Sequence, residues 1–267
     1  MLFSPPWMHT INPVAFEVFG FGVRWYGLMY LVNLLIAGVI IYHLQRRALD
    51  KPMTRKTFED ILFGGFLWGI IGGRIGNFLF WETATLWQNP LEIFQVWNGG
   101  MSIHGGIIGT CVFLYYWSRK QKYSFLQLTD VAVLGLAVTL ILGRFVNFIN
   151  AELVGKPTDG SWGVIFPNVD KTPRHPTQLY ESMKNVILSF VLFGVSKLQS
   201  TWQRPGTMSG VFLIGYGVQR LIIEFWKESF SSLVLGLNNS QWLCVMMMLL
   251  GIYILLARPK KPTIISA

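Results

Sequence analysis

The chain has 267 residues, 52% of them hydrophobic and only 13% charged, with 11 Trp and 20 Phe. A soluble domain carries about 25% charged residues, so the composition excludes a disordered chain and argues against an ordinary water-soluble globule. Lys and Arg exceed Asp and Glu by 22 to 13, too sparsely for a nucleic-acid stripe, and two cysteines are too few for a disulfide framework or a multi-cysteine zinc site.

A membrane-spanning helix needs about 20 mostly apolar residues. Residues 1–20 have no basic segment followed by a small-residue cleavage pattern, so no removable signal peptide is expected. Pro5-Pro6 and Asn12-Pro13 suggest an ordered or interfacial lead-in. Seven spans follow, near 25–44, 61–80, 101–117, 128–149, 179–198, 208–226 and 242–257. The third and last are short, and the fifth carries Glu181 and Lys184. The predicted fold is an all-α integral membrane protein of about seven transmembrane helices, a single polytopic domain over residues 1–267.

Basic residues set the direction. Arg46, Arg47, Lys51, Arg55 and Lys56 follow span one; Arg119, Lys120 and Lys122 follow span three. Lys197 and Arg204 follow span five, and Arg258, Lys260 and Lys261 lie in the tail. The alternate loops are balanced or acidic, with Glu82 and Glu92 in 81–100, and Lys156, Lys171 and Arg174 against Glu152, Asp159 and Asp170 in 150–177; Lys227 faces Glu228. The N-terminus is therefore expected outside and the C-terminus in the cytoplasm.

Charges inside a span are costly and mark function by default. They are Arg74, Arg144, Arg220 and Glu224. At about 1.5 Å per residue, Arg74 lies roughly 20 Å, Arg144 roughly 24 Å and Arg220 roughly 18 Å along spans that all run outward. Tyr26, His104, Glu152, His175, Gln178, Tyr180 and Glu181 gather at the outer ends as well. Polarity confined to one side suits a site open to the outer leaflet better than a pore or transporter, whose polar groups reach both faces. An internal echo adds to this: 73–78 and 143–148 both read G-R-x-x-N-F, and Arg and Asn at i,i+3 share a helix face.

One such arginine is as readily a structural partner of a carboxylate, as Arg220 and Glu224 could be at i,i+4. Three guanidiniums near one depth favour an anionic ligand, and the planar fork fits phosphate oxygens. The abundant anion at that depth is a phospholipid headgroup. His104 lies between Gly99-Gly100 and Gly105-Gly106 at a helix entrance, where its ordinary pKa suits base work; His175 is its competitor. Tyr216 shares a face with Arg220, although an interfacial Tyr is commonly an anchor. Glu152 could pair with Arg144 or bind a substrate hydroxyl. The sequence lacks H-E-x-x-H, G-x-S-x-G, an intramembrane Asp pair and a Lys in the last span, so metalloprotease, serine hydrolase, aspartyl protease and retinal readings lack their residues.

Six runs together resemble the bacterial phosphatidylglycerol–prolipoprotein diacylglyceryl transferase family: 24–27 (RWYG), 72–77 (GGRIGN), 99–106 (GGMSIHGG), 143–155 (GRFVNFINAELVG), 174–181 (RHPTQLYE) and 216–225 (YGVQRLIIEF). Three places depart from the family's pattern: Leu142-Gly143-Arg144-Phe145-Val146 where two glycines and a later glycine are usual, Phe225 to Ser229 in place of a basic residue with Pro-Asp, and Ser240-Gln241 in place of Gly-Gln.

The resemblance implies transfer of the diacylglyceryl group of phosphatidylglycerol to the lipobox cysteine of a prolipoprotein, with a thioether formed and glycerol phosphate released. It implies a multi-pass protein of the bacterial inner membrane whose site, with loops 81–100 and 150–177, faces the outer leaflet. The expected partners are phosphatidylglycerol, prolipoprotein signal peptides and the bilayer, with no nucleic acid. His104, Arg144, Arg220, Tyr26 and Tyr216 are the expected catalytic set. Arg144, Asn147, Glu152, Gly155, Glu224, Arg74 and Asn77 are the expected substrate-binding set, the last pair on the lipid or one layer behind it. No metal and no cofactor is expected, because alkyl transfer with a phosphate leaving group needs only a nucleophile and anion stabilisation. A different lipid headgroup transferase or acyltransferase would use the same arginines without a cysteine peptide. A transporter or lipid-binding scaffold would form no thioether.

Overall fold

The computed structural model describes residues 6–80, 82–95, 100–228 and 235–257. Gly99 of the glycine run, Ser229, and the tail residues Arg258, Lys260 and Lys261 lie outside them. The helices in chain order are α1 (Trp25–Ala48), α2 (Arg55–Phe80), α3 (Thr83–Gln88), α4 (Ile103–Gln121), α5 (Phe125–Ile149), α6 (Thr177–Lys197), α7 (Gln199–Trp202), α8 (Thr207–Ile223) and α9 (Asn239–Ala257). All seven predicted segments fall on helices. Five of these, α1, α2, α5, α8 with its 3-10 extension to Trp226, and α9, are long and apolar enough to cross a membrane. The chain is a membrane protein on that ground. Along α1 and α9 the side chains of Leu31, Leu35, Leu249, Tyr253 and Leu256 stand exposed, a surface that hydrocarbon satisfies and water does not.

Strands too short for an alternating pattern add to the helices. β2 (Val14–Val18) and β3 (Phe21–Arg24) form an antiparallel hairpin that leads into α1. Phe19 and Gly20 at its tip both have positive φ, the backbone of a tight hairpin turn. β1 (Trp7–Met8), β4 (Val164–Ile165) and β5 (Pro173–Arg174) make a small sheet, β4 parallel to β1 and antiparallel to β5.

The chain divides into two compact units, Tyr42–Thr129 and Met1–Ile41 with Asp130–Ala267. In the first, α2 and α4 pack backbone to backbone. A Cβ on Gly72 would stand 2.3 Å from the Gly105 carbonyl oxygen, and one on Gly109 2.3 Å from that of Trp68. Neither position admits a side chain, which is how small residues bring helices together.

In the second unit, α8 and α9 cross at Gly210 and Gly251, where each Cβ would meet the other residue's carbonyl oxygen at 2.9–3.1 Å. Asp130, buried near the start of α5, accepts from the backbone N–H of Gly206 at 2.7 Å and of Ser209 at 2.8 Å, and from the Ser209 hydroxyl at 2.8 Å. It thus satisfies orphan donors at the start of α8. Arg144 lies 14 residues beyond Asp130 on α5 and Arg220 lies 11 residues beyond Ser209 on α8, so helical rises of about 21 Å and about 16 Å carry the two arginines toward the C-terminal ends of their helices. Ala151, Val164 and Phe166 of the 150–177 loop form an apolar cluster with Phe148 of α5. His9 packs edge-on to Phe148 and close to Phe166.

Candidate functional site

The C-terminal ends of α5 and α8 and the N-terminal end of α6 bring a charged cluster together in the larger unit. Arg144 Nε lies 2.8 Å from Glu181 Oε2. Lys227 Nζ donates to Glu181 Oε1 at 2.7 Å, and Arg220 lies 3.9 Å from the same oxygen. Arg220 also pairs with Glu224 at 2.5 Å, and Asn238 donates to the other oxygen of Glu224 at 3.2 Å. Lys184, one turn beyond Glu181 on α6, sets its ammonium 3.6 Å from the ring centre of Tyr216. Four cations against two carboxylates leave two positive charges in excess. The arginine side chains keep 15% and 14% of their surface accessible, enough for an anion to reach them.

A second group adjoins it. Tyr26 donates its hydroxyl proton to Glu152 Oε2 at 2.8 Å; Asn147 donates to the Tyr26 hydroxyl and, at 3.1 Å, to Glu152. Arg144 reaches Asn147 Oδ1 at 3.5 Å. Asn147 follows Arg144 by three residues, so both project from one face of α5. Tyr26 enters this group from the first turn of α1 and Glu152 from the loop after α5. That loop turns sharply, with Ala151 and Leu153 both at positive φ.

Gly155 lies where the loop passes its neighbours most tightly. A Cβ there would come within 2.6 Å of Thr177 Cγ2 and 2.7 Å of the His175 carbonyl oxygen. The backbone of 155–156 bonds with 175 and with Trp226, so the loop is stitched to the end of α8. Arg174 completes the stitch with bonds to Asp170, to Glu228 at 2.9 Å and to the Gly155 carbonyl at 3.0 Å. Those bonds hold the Asp170 carboxyl below the usual carboxylate range. His175 bonds through Nδ1 to the Tyr180 hydroxyl at 3.1 Å, and burial lowers its pKa.

In the smaller unit Arg74 is buried and directs its guanidinium at backbone. It donates to Ile93 O, Glu92 O and Gly100 O at 3.2, 2.6 and 3.1 Å. Gly100 takes positive φ, and a Cβ there would press on Asn77 and Arg74 at 2.8 and 2.9 Å. Ser102 caps α4 by accepting from the Gly105 N–H. His104, the second residue of α4, is exposed.

The chain is matched over residues 13–257 by the model of the family described as prolipoprotein diacylglyceryl transferase. It is 41% identical over 252 residues to a phosphatidylglycerol–prolipoprotein diacylglyceryl transferase of Polynucleobacter necessarius, covering 91% of this chain and 94% of that one. A protein of the same name from Nitrosomonas europaea is 41% identical over 91% of this chain and 88% of its own length. One from Idiomarina loihiensis is 39% identical over 94% of both. The chain belongs to the prolipoprotein diacylglyceryl transferase family.

Several local expectations change. Lys227 pairs with Glu181, not with Glu228, which instead meets Arg174. Glu152 takes Tyr26 and Asn147, and among the described residues no ion pair joins it to Arg144. The two G-R-x-x-N-F runs use their arginines differently, Arg74 on carbonyls and Arg144 on a carboxylate. Their packing differs too: a Cβ on Gly76 would lie 2.7 Å from Gly105 Cα, whereas Val146 fits fully buried at the matching place in α5. Glu181, Lys184 and Lys227 were not among the predicted site residues. The signal was there, since Glu181 and Lys184 interrupt an apolar span one turn apart.

Proposed function

We propose that the protein transfers the diacylglyceryl group of phosphatidylglycerol to the thiol of a lipobox cysteine in a prolipoprotein. Family membership supplies the reaction, and the surplus of positive charge around Arg144 and Arg220 is the observation that carries its assignment to this site. It suits a phosphate ester held by two forked donors. The chain crosses the bacterial inner membrane seven times as one polytopic domain, N-terminus outside and C-terminus in the cytoplasm. Its charged cluster meets the outer leaflet with loops 81–100 and 150–177 on the periplasmic side.

The peptide sulfur attacks the glycerol carbon bonded to the phosphate oxygen. A C–S bond forms and the C–O bond breaks, its electron pair staying on the phosphate oxygen of the departing glycerol phosphate. A free thiol has a pKa of about 8.5, so a base near neutrality raises the thiolate fraction. His104 takes that proton. Arg144 and Arg220 hold the phosphate and stabilise the charge that grows on it. Glu181 and Glu224 orient the two guanidiniums. Tyr26, Asn147 and Glu152 bind the headgroup glycerol, Tyr216 donates to the phosphate, and Gly155 lets the loop lie close. Arg74 holds the carbonyls of Glu92, Ile93 and Gly100 ahead of His104, and Asn77 packs beside it against Gly100.

The test separates this reaction from headgroup transfer. Phosphatidylglycerol labelled in its diacylglyceryl part, or in its headgroup glycerol, is offered with a lipobox peptide. Label reaches the peptide only from the first lipid if the proposal holds; label arriving from the headgroup overturns it.

A further inference from the structure

Lys184 has no place in the roles above, yet it is a buried ammonium on the same face of α6 as Glu181. It is 5% exposed. It donates to Asn185 Oδ1 at 3.1 Å and stands over the Tyr216 ring. No carboxylate lies within 4.0 Å of it among the described residues. An apolar side chain would fill this position at lower cost, since a buried charge without a counter-ion is expensive. What its charge does to Tyr216 accounts for it.

Tyr216 is engaged at both ends. Its hydroxyl lies beside Arg144 and interacts with that cation, and its ring face carries the ammonium. A phenol has one proton to give, and among the described residues no acceptor takes the one on Tyr216. A cation on the ring face is attracted by the π electrons and draws density from the oxygen, which strengthens the O–H as a donor. Arg220, four residues on, lies on the same helix face.

We infer that Lys184 is a positioning residue for the phosphate site. Its ammonium fixes and polarises the Tyr216 ring so that the hydroxyl, beside Arg144, donates its proton to a phosphate oxygen. Lys184 itself touches no substrate. This rests on the reading that the cluster binds the lipid phosphate.

The test is a double-mutant cycle of K184M and Y216F, with K184R and K184Q alongside, on the full-length protein in detergent. Two quantities are read: kcat/KM for phosphatidylglycerol, and equilibrium binding of glycerol phosphate, which needs no turnover. K184M and K184Q should each lose about tenfold in both, and K184R should recover to within about threefold, because a guanidinium also sits well on an aromatic face. On the Y216F background, K184M should change either quantity by less than about twofold. An equal loss on both backgrounds, or no loss in either single variant, overturns the inference. So does loss accompanied by unfolding in both K184M and K184Q, which would make Lys184 structural. If the wild-type protein binds glycerol phosphate but makes no thioether, the transferase reading fails while the coupling is still read in the binding constants.

Discussion

Glu181 offers the sharpest test of how the cluster is held. Its carboxylate is 1% exposed, 2.8 Å from Arg144 and 2.7 Å from Lys227, with Arg220 at 3.9 Å. Glu181→Gln keeps the shape and removes the charge, leaving four cations against Glu224 alone. Removing one partner of a buried ion pair costs about 3–5 kcal/mol. Arg144→Gln alone should cost less, because Lys227 still neutralises Glu181. In the double variant the two losses should fall short of additivity by about 1–3 kcal/mol, the range for residues in direct contact. Chemical denaturation in detergent, followed by the fluorescence of the 11 tryptophans, measures all three. Losses that add within about 0.5 kcal/mol would refute the view that Glu181 holds Arg144 in place.

The remaining predictions follow from individual residues. Arg144→Ala should abolish thioether formation, and His104→Gln should lower turnover by about 100-fold or more, the usual reach of general-base catalysis; near-normal turnover in His104→Gln with none in Arg144→Ala would remove the base role and leave the anion site. Gly155→Ala should reduce kcat/KM with the fold retained, since the new methyl would press on Thr177 and the His175 carbonyl; unchanged kinetics would show that the loop has room. Burial lowers the pKa of His9, and its Nε2 has no hydrogen-bond partner among the described residues. The unfolded state therefore binds the proton more readily, so the stability that neutral His9 contributes is full above about pH 6.5 and is lost as pH falls toward the lower folded value. Denaturation midpoints at pH 7.5 and 5.5 should differ less in His9→Phe than in the wild type, and an equal difference would contradict this.

The seven long helices were legible because each is an extended, mostly apolar run; the short α3 and α7 were not. The arginines that the structure gathers into the candidate cluster, Arg144 and Arg220, were legible as charges that such a run does not tolerate without purpose. The short strands were not, because two to five residues carry no usable period; β1 pairs with β4 across more than 150 residues of chain. Partner choice was the other blind spot. Lys227 and Glu228 are neighbours in sequence, yet they point apart, one to Glu181 on α6 and the other to Arg174 in the loop. Glu181 lay in view within the least apolar span, but its three cations come from α5, α8 and the segment after α8, which only tertiary packing brings to one carboxylate.

The central claim is that this cluster serves sulfur alkylation. Purified protein is incubated with phosphatidylglycerol and a peptide bearing a lipobox cysteine, and the peptide mass is measured for the wild type and for an Arg144→Ala, Arg220→Ala double variant. The account predicts a diacylglyceryl adduct with the wild type, none with the double variant, and none when the peptide cysteine is replaced by serine. An adduct on the serine peptide, or undiminished product from the double variant, would contradict it.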